Sequence, residues 1–137
     1  MTFRDAYKEY EDKTNKALTD TGIFYAFSEE QFNSNKPYKN SKDTEYLSVF
    51  GGAFIHKKDK DKLDHYFKVV SPQLKQDLAN KIDIKNLIEY ELSNYECYYT
   101  GDYKEILDVI KPFYQDKSDN ELLELIKQVF YKNKANN

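Results

Sequence analysis

Apolar and aromatic side chains recur every three or four residues near the start of the chain, which is the spacing of one helical face. These positions are Phe3, Tyr7, Tyr10, Thr14 and Leu18. Thr2 precedes this stripe as a capping residue, and Gly22 follows it as a helix stop. The pattern therefore predicts a first helix that is capped by Thr2 and ends before Gly22.

A short run that is apolar on both faces comes next. Ile23–Phe27 is typical of a buried strand. Ser28-Glu-Glu-Gln31 has the spacing of a capping box, and Phe27 and Phe32 occupy the two positions of a hydrophobic staple. We therefore expect a short helix to begin at Glu29.

Two runs of β-prone residues, Tyr46–Phe50 and Ala53–His56, flank the pair Gly51-Gly52. A two-residue glycine link is typical of a tight hairpin, because glycine takes positive φ angles at both positions without a steric cost. A glycine bulge within one longer strand explains the same residues. The sequence leaves both interpretations open.

The pattern after His56 is helical almost to the end of the chain. Apolar stripes follow the capping signals Ser71-Pro72, Asp83, Asp102 and Ser118. The fold class we predict is α+β, with a small antiparallel sheet of two to three strands packed against about five to six helices and a helical C-terminal half.

The length of 137 residues indicates a single domain over residues 1–137. Within it, residues 33–44 are rich in Asn, Ser and Lys and contain Pro37, so we expect a loop there. We expect residues 133–137 to form a frayed tail.

Composition excludes several classes of protein. Hydrophobic residues make up only 39% of the chain, yet 13 Tyr and 9 Phe supply enough apolar area for a core and argue against wholesale disorder. Ile23–Phe27 is the longest apolar run, too short to cross a bilayer, and the first residues show no secretory pattern. A single cysteine, Cys97, leads us to expect an intracellular, cytoplasmic protein.

Motifs that carry chemistry are weak. Asp59–Asp64 resembles a calcium loop, but Leu63 stands where an oxygen ligand is needed. Asp61 and His65 share a helical face without the further ligands that a metal site requires. Acidic neighbours of Cys97 disfavour a reactive thiolate.

No phosphate-binding glycine loop and no serine, histidine and acid grouping stands out in the sequence. We therefore expect no catalytic residues, no metal, no cofactor and no enzymatic activity. An enzyme whose site assembles from distant carboxylates stays open as an alternative.

The segment Glu89–Asp108 is the least ordinary part of the chain. It holds six acids, one base and five tyrosines. Tyrosine is enriched at binding hot spots, and surrounding carboxylates complement a basic partner. We predict that this acidic, tyrosine-rich segment binds a partner through Glu89, Tyr90, Glu91, Glu96, Tyr98, Tyr99, Asp102 and Glu105.

Core packing competes with partner binding for these tyrosines. We expect Tyr95 and Tyr103 to face the core, and the sequence leaves Tyr90, Tyr98 and Tyr99 open between core and surface.

Two alternatives use other features. The lysines between Lys36 and Lys62, together with Tyr38, offer phosphate contacts and a stacking ring for nucleic acid, although the formal net charge of -3 argues against this as the main activity. Exposed tyrosines also serve self-association, so a homodimer stays open.

Four segments resemble a family of small uncharacterised proteins of bacteriophages and prophages, in the same order and spacing over most of residues 1–110. They are Ile23–Phe32, Gly51–Ile55, Glu91–Glu96 and Tyr99–Asp102. The family usually has histidine where this chain has Tyr95, which removes the one histidine that suggested chemistry.

The resemblance implies a setting in the cytoplasm of a bacterial host. By analogy with anti-CRISPR inhibitors, it implies a protein that occludes a host defence protein, such as a CRISPR-associated nuclease or another nucleic-acid-handling protein. We expect the acidic, tyrosine-rich segment to cover a basic nucleic-acid-binding surface on that partner.

Overall fold

A computed structural model describes residues 1–134. These residues form two compact units. The first unit combines Met1–Tyr10 with the chain from Pro72 onward, and the second is Glu11–Ser71. The assignment of the whole chain to one domain stays a prediction.

Helix α1 (Phe3–Thr19) contributes its first half to one unit and its second half to the other. Its cap is reciprocal, because the Asp5 backbone N–H donates to Thr2 Oγ1 at 3.2 Å and the Thr2 N–H donates to Asp5 Oδ2 at 3.2 Å. Gly22 follows the helix with φ of 93°. The predicted start and stop of this helix are confirmed.

The sheet of the second unit is antiparallel and contains β1 (Phe24–Tyr25), β2 (Tyr46–Phe50) and β3 (Ala53–His56). Within residues 1–134 its strand order is β1-β3-β2. The strand predicted over Ile23–Phe27 is therefore confirmed only at Phe24 and Tyr25.

The glycine pair forms a hairpin, since Phe50 pairs with Ala53 across it. Only Gly52 has a positive φ, of 77°, so the expectation that both glycines adopt positive φ was wrong. The pairing register also shifts between Ser48 and Phe50. The hairpin alternative is thus confirmed, and the alternative of a glycine bulge in one longer strand was wrong. A bulge does occur, but within β2 rather than at the glycines.

The two faces of this sheet pack differently. On one face, Ile23, Ala53, Ile55 and Leu63 form a small aliphatic core. On the other face an aromatic cluster forms between the sheet and helix α2 (Glu29–Asn35), with ring centroids 5.2 to 5.9 Å apart. The members of this aromatic cluster are Phe24, Phe32, Tyr46 and Phe54.

Helix α2 begins at Glu29 as predicted, because Ser28 Oγ accepts the backbone N–H of Gln31 at 3.1 Å. The side chain of Gln31 accepts the N–H of Phe27 at 2.8 Å, one residue before the expected position. The predicted hydrophobic staple between Phe27 and Phe32 does not form. Phe27 is 77% exposed and lies over Gly52, whereas Phe32 belongs to the aromatic cluster.

The predicted loop over residues 33–44 is shorter in the structure. Helix α2 continues to Asn35, and a 3₁₀ turn begins at Asp43. The intervening residues are tied down, since the Lys36 ammonium donates to the Ser41 carbonyl at 3.2 Å. The Tyr46 hydroxyl also donates to the backbone carbonyl of Tyr38 at 3.3 Å.

The chain after β3 is helical. A 3₁₀ turn (Lys57–Asp59) leads into α3 (Lys60–His65), a π-helical turn (Tyr66–Val70) and α4 (Ser71–Ala79). Pro72 lacks a backbone N–H and crowds the carbonyl four residues before it, so the helical ladder is irregular there. The Ser71 N–H accordingly donates to the Tyr66 carbonyl, five residues back.

The first unit contains α5 (Ile84–Asn94), α6 (Cys97–Thr100), α7 (Leu107–Ile110) and α8 (Asp119–Lys134), with 3₁₀ turns on both sides of α7. The predicted caps are confirmed at two helical starts, where Asp83 and Ser118 accept backbone N–H groups. The cap predicted at Asp102 was wrong, because the 3₁₀ turn there begins at Lys104 with Tyr103 at its N-cap position and no capping side chain. The core residues of this unit are Leu87, Ile88, Leu92, Cys97, Ile106, Ile110, Tyr114, Leu122, Ile126, Val129 and Phe130.

This architecture is the predicted α+β class with a helical C-terminal half. Of the predicted tail, residues 133 and 134 belong to α8, and residues 135–137 lie outside the described part of the chain. Within residues 1–134, no helix combines the length and the apolar character needed to cross a membrane.

Candidate partner-binding surface

One side of α5 carries exposed polar groups toward the end of the helix. Glu89 and Ser93 are four residues apart and lie on one face of the helix, and Glu96 follows the helix end. All three are exposed. Ser93 and Glu96 line a groove of about 400 Å³ together with Tyr98 and Tyr99. We call these five residues the Tyr99 surface.

The backbone at Glu96 is left-handed, with φ of 56° and ψ of 31°. Within residues 1–134 it is the single non-glycine residue with positive φ. Such a conformation costs an L-residue about 1 to 2 kcal/mol. The turn lets the Glu96 carbonyl accept the N–H groups of Tyr99 at 3.0 Å and Thr100 at 3.1 Å, which starts α6 and sets the direction of Tyr99.

Tyr98 and Tyr99 are adjacent but differ in environment. Tyr98 is half-buried, stacked on Phe130 with ring centroids 5.5 Å apart and planes 3° from parallel. The Asn133 amide donates to its hydroxyl at 3.0 Å. Burial raises the pKa of Tyr98, and the nearby Glu89 carboxylate raises it further. Tyr99, by contrast, is 92% exposed, so it is the free ring of the pair.

The prediction that Glu91 meets a partner was wrong, because Glu91 is only 4% exposed. The Tyr7 hydroxyl donates to its Oε1 at 3.5 Å, and burial raises the pKa of its carboxyl group. The helical spacing indicates this burial, because Glu91 is three residues from Ile88 and four from Leu87, which both lie in the core.

Other tyrosines of the segment are distributed differently from the expectation. Tyr95, expected in the core, is 47% exposed. Tyr103 is partly buried as expected, with its ring centroid 4.9 Å from that of Phe130. Tyr90 is 39% exposed and packs on α1, with its ring centroid 4.7 Å from that of Tyr7. It is therefore a packing residue with an exposed edge.

Asp102 and Glu105 are exposed but have local structural roles. Asp102 Oδ1 accepts the Lys104 N–H at 3.2 Å, and Glu105 Oε1 accepts the Cys97 thiol at 3.4 Å. Burial and this hydrogen bond raise the pKa of Cys97 to about 12. Cys97 is thus a protonated core thiol. The residues predicted as one patch therefore divide into three groups. Glu89, Glu96, Tyr98 and Tyr99 belong to the Tyr99 surface, Asp102 and Glu105 lie near Cys97, and Tyr90 and Glu91 pack against α1.

A buried polar cluster in the second unit was not predicted from the sequence. His56 Nε2 is 3.3 Å from Glu45 Oε2, and its Nδ1 accepts the Lys58 N–H at 3.1 Å. The Tyr38 hydroxyl donates to Asp59 Oδ2 at 3.1 Å. The hydrogen bond to His56 lowers the pKa of Glu45, and the one to Asp59 raises the pKa of Tyr38.

Both imidazole nitrogens of His56 are occupied in this cluster, so it holds the loop after α2 against the end of β3. His56 and Asp59 are each less than a tenth exposed. The sequence pattern places His56 at the end of a β-prone run and Asp59 at the start of the segment that resembles a calcium loop. The available signal was the strand periodicity, which places His56 on the same sheet face as Phe54.

The lysines considered for nucleic-acid binding mostly have partners in the fold. Lys60 is 3.7 Å from Asp64 and Lys62 is 3.5 Å from Asp59. Lys39 donates to backbone carbonyls near the end of α2, and Lys58 lies over the ring of Tyr38 at 5.1 Å. These pairings reduce the positive charge that this region offers to phosphates.

Within residues 1–134, no three His, Cys, Asp or Glu side chains come together as a group that could hold a metal ion. The Tyr99 surface thus combines an exposed ring, two exposed carboxylates and an open groove.

A comparison with known proteins identifies the family of this chain. Residues 6–132 match the model of a family of unknown function, DUF7659, and because the match covers nearly the whole chain, the chain belongs to that family. A search of curated proteins and a search of solved structures returned no match.

Proposed function

We propose that this member of the DUF7659 family is a non-enzymatic binding protein that docks the Tyr99 surface on a basic partner protein. The observation that carries the proposal is the 92% exposure of Tyr99 beside a left-handed Glu96. A large ring left in water adds nothing to the core, and strained backbone is concentrated at functional sites.

Tyrosine suits such a role because it brings a large rigid contact area at a small entropic cost. The groove next to Tyr99 offers a complementary recess for a partner side chain. Tyr98 forms part of its wall and is itself supported from below by Phe130, so the groove is preorganised.

The charge of the surface selects the partner. Glu89 and Glu96 are both exposed on this side of the unit, and they complement lysine or arginine side chains. A surface that grips phosphate backbones is rich in such cations. We therefore propose a nucleic-acid-handling protein as the partner, with these carboxylates at positions that phosphates otherwise occupy.

In its most specific form the proposal is that of an anti-CRISPR-like protein from a phage or other mobile element. It would act in the cytoplasm of a bacterial host and inhibit a host defence protein, such as a CRISPR-associated nuclease. The support for this form is the resemblance of Ile23–Phe32 and three other segments to phage proteins. The Tyr99 surface supports the broader form independently.

The test uses the full chain as bait in a pull-down from the host, followed by measurement of binding to the purified partner. Tyr99→Ala and the double reversal Glu89→Lys with Glu96→Lys are each expected to weaken binding at least tenfold. Glu91 is left unchanged because it is buried and its reversal would disturb the fold.

Glu124→Lys is the matched control, because Glu124 is an exposed acid on α8 outside the groove. It is expected to bind as the wild type does, and all variants should keep the wild-type melting temperature. Binding that survives both the Tyr99 variant and the double reversal would contradict the proposed surface. Inhibition of the partner's nuclease activity separates the specific form from the broader one.

A further inference from the structure

The second unit contains a cleft at the start of α2, on the aromatic face of the sheet. Its volume is about 490 Å³, within the range of small-molecule sites. Four rings and two carboxylates supply most of its lining: Phe27, Phe32, Tyr46, Phe54, Glu29 and Asp43.

The walls of this cleft are held rigidly. The ring of Phe32 is nearly perpendicular to those of Tyr46 and Phe54, with centroids 5.2 Å away in each case. The Tyr46 hydroxyl is 2.6 Å from Ser41 Oγ, which fixes its ring from the far side. Phe27 is the most exposed ring of the lining, at 77%.

Aromatic faces carry negative partial charge and attract cations, and nearby carboxylates strengthen this attraction. No lysine or arginine lines the cleft in the described part of the chain. The Lys36 ammonium, 3.9 Å from Asp43 Oδ1, offsets part of the charge of Asp43. Glu29 remains as the principal anion at the rim, so the cleft complements a single positive charge.

We propose that this cleft binds a small alkylammonium ion, with its aliphatic body on the aromatic rings and its ammonium group beside Glu29. The pairing of apolar rings with a carboxylate fits a ligand that is apolar at one end and cationic at the other. The site is independent of the Tyr99 surface and of the binding role proposed for it.

The test is a titration of the full chain with n-butylammonium chloride at low ionic strength, followed by ¹H–¹⁵N correlation spectra. Saturable shifts are expected at the amides of Ala26, Ser28 and Phe54, which border the cleft. 1-Butanol, of the same length but uncharged, is expected to bind at least tenfold more weakly.

Glu29→Gln is expected to weaken butylammonium binding at least tenfold. The spectrum of the variant should otherwise remain that of the folded protein. Glu30→Gln is the matched control, because Glu30 is the adjacent exposed acid of the same helical turn and does not line the cleft. Its affinity should equal that of the wild type.

Several results would overturn the proposal. Equal binding of butanol would make the cleft a site for neutral apolar ligands, and equal loss in both glutamate variants would indicate a diffuse charge effect. Shifts spread over all acidic surfaces would indicate counter-ion binding only. Tighter binding of acetyl-lysyl-amide, with a free side-chain ammonium, would assign the cleft to a protein side chain instead of a free amine.

Discussion

A β-carbon placed on Gly22 would lie 2.7 Å from Oδ2 of Asp59, the oxygen that accepts the hydroxyl of Tyr38. Gly22 also has φ of 93°, a conformation that residues with side chains rarely adopt. Two independent constraints therefore require glycine after α1. The close approach lets buried Asp59 bind the loop after α2 through Tyr38.

Gly22→Ala is expected to lower the free energy of unfolding by about 2 kcal/mol, from backbone strain together with displacement of the Asp59 carboxylate. Gly51→Ala is the control, because Gly51 has no positive φ and the added carbon would have no atom within 4 Å apart from Gly51 itself and its two chain neighbours. Urea unfolding measures both variants. Equal stability of the two would contradict the proposed role of the Gly22–Asp59 contact.

Glu91→Lys is expected to destabilise the protein by about 3 kcal/mol, because it places a charge without a partner in the core of the first unit. Glu89→Lys, two residues earlier on α5 and exposed, is expected to change stability by less than about 0.5 kcal/mol. Thermal unfolding followed by circular dichroism compares them. A Glu91 variant as stable as the Glu89 variant would refute the burial of this carboxyl group.

Tyr114→Phe is expected to keep or raise stability at neutral pH by up to about 1 kcal/mol. The Tyr114 hydroxyl is buried and finds no hydrogen-bond partner within residues 1–134. Tyr46→Phe is the control, because the Tyr46 hydroxyl has hydrogen bonds, and it is expected to cost about 1 kcal/mol.

The same variant tests alkaline stability. Burial raises the pKa of Tyr114 to about 12, from an ordinary value of 10.0, and nearby acidic groups add to the shift. The folded state therefore favours the protonated phenol. The stability that Tyr114 contributes in this way is complete below pH 10 and is lost as the pH rises toward 12. Tyr114→Phe should lose less stability over this range than the wild type in urea unfolding at each pH. An identical loss would rule out Tyr114 as its source.

Helix starts and the fold class were predictable because capping and helical periodicity depend on residues within one or two turns of each other. Ser28, Asp83 and Ser118 accept the hydrogen bonds that their local sequences predict. The hairpin at Gly51-Gly52 was also expected, as one of two alternatives.

The candidate surface needed the tertiary structure, because exposure depends on which helix packs against which side chain. Glu91 is buried since Tyr7, distant along the chain, covers it, and Tyr98 is half-buried since Phe130 lies beneath it. Composition alone identified an acidic, tyrosine-rich segment. Packing then separated its members and left Tyr99, beside a left-handed Glu96, as the most exposed ring of the segment.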